Sequence, residues 1–145
     1  MLQVTEKNQL SKFELRERIG EFENCLAETD GAQFGDVLPL KHSFSPGIYV
    51  REIFIPKGTV LTGKIHRHSH PNFLMSGVVD VVTEDGGLER LTAPLSMISP
   101  AGTKRAVYAV EDTVWITVHA TDETDLDKIE KEVITQDYKE LKWPG

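Results

Sequence analysis

The sequence predicts a mainly-β domain, an antiparallel sandwich or barrel with a helix at each end. Three observations predict it. Apolar residues alternate at period two between Ile48 and Ala120. Gly, Pro and Asp-Gly steps cut that stretch into about eight or nine short strands. Period-3.6 patterns occur only outside it, near the two ends. The chain of 145 residues is the size of one core. It divides into residues 1–45 (N-terminal helix and connection), 46–121 (β barrel) and 122–145 (C-terminal helix), all within one domain.

Residues 1–10 are polar. Ser11-Lys12-Phe13-Glu14 then matches a capping box, with a hydroxyl to accept an amide and a carboxylate to reach back. Leu15, Ile19, Phe22 and Leu26 follow on one helical face. Gly20 costs about 1 kcal/mol of helix propensity, so two shorter pieces are an alternative to one helix. Cys25 lies beside the apolar face and reads as a small core residue. Residues 30–47 read as a connection holding one short strand around Lys41–Phe44, with His42 on the surface.

From Gly47 the period changes. Ile48–Ile55 is rich in β-branched and aromatic residues. Pro56-Lys57-Gly58 is a turn, and Thr59–His70 reads as one strand. Pro71-Asn72 bends it, Phe73–Met75 continues it, and Val78–Thr83 is the next strand. Glu84-Asp85-Gly86-Gly87 carries hairpin steps, and Leu88–Leu91 returns. Pro94–Ile98 is a short apolar strand. Lys104–Val110 and Thr113–Ala120 form a last hairpin around Glu111-Asp112. A second helix starts at Thr124-Asp125, with Leu126, Ile129, Val133, Ile134, Tyr138 and Leu141 on its apolar face.

Lys plus Arg number 16 against 23 for Asp plus Glu, a formal charge of -7. That balance argues against a broad nucleic-acid or membrane-surface footprint. No apolar run approaches the ~18 residues that span a bilayer, and no signal-peptide pattern opens the chain. The single cysteine cannot form an intramolecular disulfide, which suits a reducing, cytoplasmic setting. Serine-hydrolase, Walker and dinucleotide-binding motifs are missing, as are the cysteine pairs of a zinc finger.

The chemistry concentrates in Gly63–Asn72. Three of the five histidines, His66, His68 and His70, alternate there. On one strand they project to one face, with Asn72 next in line. Neutral imidazole is the commonest metal ligand. His119 ends the strand from Thr113, on the face of Trp115 and Thr117. Val114, Ile116 and Val118 form the other face, and the sequence leaves open which one lines the interior.

His66-Arg67-His68 followed by Asn72 and Gly77, and Pro100-Ala101-Gly102-Thr103-Lys104-Arg105, resemble the two motifs of the cupin superfamily over roughly residues 45–120. The resemblance implies a double-stranded β-helix, or jelly roll. It also implies a site built from the HxH pair, a Glu and a second-motif His. Here Asn72 stands at the Glu position and Arg105 at the His position. Asn is a weaker oxygen ligand, and Arg offers only donors. The whole chain is similar to small, uncharacterised cupin-domain proteins of bacteria and phages, for which the host cytoplasm would be the setting.

The expected metal set is therefore His66, His68, His70, Asn72 and His119, holding a divalent transition ion (Fe, Mn, Ni or Zn). Arg105 is the candidate for an anionic small-molecule ligand. Three readings follow: a metal-dependent enzyme, a metal-free isomerase with Glu52 or Asp80 orienting a histidine base, and a binding or assembly module without chemistry. Whether the protein is an enzyme is left open. A homo-oligomer is expected, with no nucleic-acid or membrane partner.

Overall fold

The computed structural model describes residues 11–28, 38–84 and 87–135. The first helix, α1 (Lys12–Ala27), is continuous, and Ser11 Oγ accepts from the Glu14 amide at 3.2 Å. It docks along Arg16, Ile19 and Glu23 rather than along the stripe the apolar pattern predicts. Glu23 accepts from Thr62 Oγ1 at 2.6 Å and from Lys104 Nζ at 2.8 Å. Arg16 faces Glu84 at 3.9 Å. These ionic partners rotate the helix about Ile19, its one fully buried residue. Phe13 and Phe22 therefore remain exposed. Cys25 is also exposed, which corrects its reading as a core residue.

Eleven strands follow in chain order: β1 (Leu40–Ser45), β2 (Ile48–Ile55), β3 (Val60–Thr62), β4 (Ile65–His66), β5 (His70–Ser76), β6 (Val78–Thr83), β7 (Gly87–Thr92), β8 (Leu95–Ser99), β9 (Ala106–Ala109), β10 (Thr113–Ala120) and, after the second helix, β11 (Ile134–Thr135). They form a five-stranded sheet in the order β1-β2-β10-β5-β8, a four-stranded sheet β3-β9-β6-β7, and the pair β11-β4. Every pairing is antiparallel. The sheets enclose one interior without joining into a continuous hydrogen-bonded barrel. Gly77 makes the β5–β6 turn at φ 97°, and a Cβ there would lie 2.3 Å from Thr113 Oγ1 and 2.4 Å from the Asp112 carbonyl. Only glycine fits that position.

Side-chain alternation grades the interior from apolar to polar along the strands. At one end Ile55, Leu74, Val79, Val107 and Trp115 form the main apolar cluster. Moving up, Thr117 pairs with Arg51 on one side and Asn72 on the other. At the top, His119 pairs with Tyr49, and His70 pairs with Ser99. The outer face of the same sheet carries Phe54, Phe73, Met75 and Ile98, all exposed. That is more apolar than an outward-facing antiparallel sheet usually is.

The second helix, α2 (Leu126–Val133), begins at Asp125, whose carboxylate accepts from the Asp127 and Lys128 amides. It ends at Val133. Ile134, read as part of its apolar face, belongs to β11 instead, and Tyr138 and Leu141 lie outside the described residues. Ile129 and Val133 pack on Tyr49, closing the polar end of the interior. Among the described residues no helix is long and apolar enough to cross a membrane.

Candidate metal and ligand site

The stretch Thr59–His70, expected to form one histidine-bearing strand, is divided among β3, β4 and the start of β5. β4 ends at His66 and β5 begins at His70. The break has a non-local cause. β11 pairs with β4, Ile134 opposite His66, and the Val133 carbonyl takes the Arg67 amide at 2.7 Å. Arg67 Nε then donates to the Ile134 carbonyl at 2.8 Å. Residues 67–69 bend, and His68 turns out to solvent. The expected common face of His66, His68 and His70 is therefore not formed. His66 and His70 stay inside, and His119 joins them from β10.

The three rings are mutual neighbours. Centroids lie 4.3 Å apart for His66 and His70, 5.0 Å for His70 and His119, and 5.7 Å for His66 and His119. Each comes from a different strand. Tyr49 extends the cluster, its ring 5.9 Å from His119 and its hydroxyl hydrogen-bonded to His42 Nδ1 at 2.6 Å. His42, read as a surface residue, is thus partly buried and tied to the site through Tyr49. Tyr49 was not singled out in the sequence, because a tyrosine in a strand reads as an ordinary β-former. Its alternation with Arg51, Ile53 and Ile55 was the available signal.

Burial holds these imidazoles neutral. His66 is pushed down to about 3, first by desolvation and then by repulsion from His70 and His119 as the cluster takes up protons, and from Arg105. His119 falls to about 4, by desolvation and then through His70 and Arg51. His70 shifts the same way, again chiefly by desolvation. Its Nδ1 lies 3.2 Å from the His68 carbonyl. A carbonyl only accepts, so Nδ1 carries the proton and Nε2 presents a bare lone pair. Among the described residues that buried Nε2 has no hydrogen-bond partner, and neither has His66 Nδ1.

The donor chemistry fits a transition metal: three neutral imidazoles from three strands, two with an unpartnered buried nitrogen. The ring orientation does not yet. The rings meet in stacked and tilted contacts, and among the described residues no group of three or more His, Cys, Asp or Glu side chains is set to hold a metal ion. Coordination requires the rings to turn about their side-chain torsions. Two open hollows of about 280 and 250 Å³ lie elsewhere on the surface, and neither is lined by a histidine.

Asn72 sits one inward step below His70 and belongs to a different layer. It is fully buried, its Nδ2 donates to Ser99 Oγ at 2.7 Å, and its Oδ1 accepts from Trp115 Nε1 at 3.0 Å. Arg105 enters the same layer. Its Nη2 donates to Ser99 Oγ, and its guanidinium carbon lies 5.4 Å from the Trp115 ring centre. The carboxylates considered for a metal-free base lie elsewhere. Glu52 takes the outward parity of β2, and Asp80 is bound to Arg90 at 2.7 and 3.0 Å.

No family model matches the sequence, and no curated protein does. Solved structures match the fold. A cupin 2 domain-containing protein from Halorhodospira halophila is 16% identical at a TM-score of 0.52, covering 70% of this chain and 80% of its own. KdgF from a Halomonas species is 20% identical at 0.51, covering 70% and 95%. A Klebsiella pneumoniae protein with a double-stranded β-helix domain is 14% identical at 0.51, covering 64% and 85%. The chain has the cupin jelly-roll fold, with a helix before it and a helix and short strand after it.

Proposed function

We propose that this protein is a metal-centred small-molecule cupin, in which His66, His70 and His119 hold a divalent transition ion (Fe, Mn, Ni or Zn) at the polar end of the jelly roll. The observation that carries the reading is the cluster of three imidazoles, His70 and His119 buried and His66 half-buried, with two buried nitrogens unpartnered among the described residues. An unpartnered buried polar atom is destabilising by about 1–3 kcal/mol unless something binds it. A bound ion would supply Lewis acidity to an oxygen of the ligand. The chain's own groups set the rest. Desolvation keeps the three rings unprotonated at neutral pH, and the His68 carbonyl fixes the His70 tautomer. Tyr49 backs His119, while α2 and β11 cover the mouth and limit water.

The ligand in this reading is small and anionic, because Arg105 places a cation beside neutral histidines. Catalysis is not required: the same centre serves a binding module equally well. The test is elemental mass spectrometry on protein purified without tag or chelator. The proposal expects close to one transition metal per chain. Metal-free protein that takes up no Mn, Fe, Ni or Zn on addition would overturn it.

A further inference from the structure

We propose that Arg105 is the docking point for a carboxylate of the ligand, so that this jelly roll selects small organic acids such as 2-hydroxy and 2-oxo acids. The inference rests on the reading of the interior as a small-molecule site, and not on the presence of a metal.

The starting observation is a charge with no ion-pair partner among the described residues. Lys104 and Arg105 are neighbours, yet they behave oppositely. Lys104 turns outward to Glu23, with Nζ at 2.8 Å. Arg105 turns inward, where its single hydrogen-bond partner among the described residues is the neutral Ser99 hydroxyl. Glu84 is felt electrostatically but is not within ion-pair distance. A guanidinium has five donors, so most of its binding capacity is unused. Burial pushes Arg105 down to about 10, against the opposing pull of Glu84. A charge taken out of water without an ion-pair partner is destabilising. A chain that keeps such a charge gains most when an anion arrives from outside.

The surroundings define which anion. Trp115 lies against the guanidinium and Asn72 fixes the indole through Nε1. Asn72 and Arg105 both donate to Ser99 Oγ, so that oxygen orients the guanidinium. A planar fork held in this way can take a carboxylate through two parallel bonds, and phosphate is the competitor that the test must separate from it. Arg105 also bears electrostatically on His66 and His70. A hydroxyl or carbonyl oxygen on the same ligand would suit those neutral imidazoles.

The test uses the full chain in a Trp143→Phe background, so that Trp115 is the sole indole, after chelator treatment and at pH 8. Glycolate, oxalate and inorganic phosphate are titrated at constant ionic strength, with chloride as the control. Trp115 emission and the thermal midpoint are the readouts. The proposal expects a saturable change with glycolate and oxalate, at least tenfold weaker in Arg105→Lys and missing in Arg105→Gln, with circular dichroism confirming that each variant is folded. No saturable response to either acid in the parent protein would overturn it, whatever the variants do. So would phosphate binding more tightly than both, or an unchanged response in Arg105→Gln. A response that appears only after metal is restored would assign the acid to the metal and remove Arg105 from the role, leaving the metal reading intact.

Discussion

His70 and Asn72 are consecutive inward residues of one strand, both buried, at 2% and 0% exposure. They teach different things. Asn72 spends its amide on Ser99 and Trp115, two strands apart on either side of β5. Its layer is closed on itself. His70 keeps a bare Nε2 among two other neutral rings. Its layer is open, with no partner for that nitrogen among the described residues. Hydrogen-bond satisfaction, rather than burial or residue type, separates scaffold from site here.

Acid should produce the largest effect on this contrast. A histidine whose folded pKa lies below its unfolded value binds more protons in the unfolded state, so stability falls as pH falls. For His66 and His119 the loss starts near the unfolded value of 6.5 and runs down to about 3 and about 4. Over two pH units each contributes up to about 2.7 kcal/mol, and relaxation of the cluster brings the sum to roughly 3–5 kcal/mol. Urea unfolding of metal-free protein at pH 6.5 and 4.5 measures it. The variant His66→Leu/His70→Leu/His119→Leu should be nearly flat over the same window. A parent protein as acid-resistant as the variant would remove the open layer from the account.

Asn72→Leu comes next. It leaves the Trp115 N–H buried without an acceptor and frees Ser99, for a loss of about 3 kcal/mol in the same assay. His70→Leu, one inward position away and similar in volume, should cost within about 1 kcal/mol in the metal-free protein, because it removes an unsatisfied nitrogen together with one long hydrogen bond. Equal losses at the two positions would erase the distinction between the layers.

The strand pattern was legible because alternation and turn chemistry are local. Thr113–Ala120 was read with the bounds the structure has, and Gly77 and Gly102 mark turns at positive φ. Helix α1 was legible as a helix but not in its rotation, which long-range ionic partners decide. His66 and His70 were legible for the same local reason. His68 was misplaced because the bend at 67–69 depends on β11, more than sixty residues away. The inward face of β10 stayed open in sequence since Val114, Ile116 and Val118 are more apolar than Trp115, Thr117 and His119, yet they face outward. His42 and Tyr49 meet through the β1–β2 register, which no local pattern records.

His68→Ala and His119→Ala, compared for metal uptake, test the central claim most directly. The sequence motif favours His68 as a ligand, whereas the folded chain favours His119. Isothermal titration of Ni or Zn into each chelator-treated variant should show parent-like affinity for His68→Ala and a loss of at least tenfold for His119→Ala. A loss in His68→Ala with His119→Ala unaffected would contradict the three-histidine centre described here.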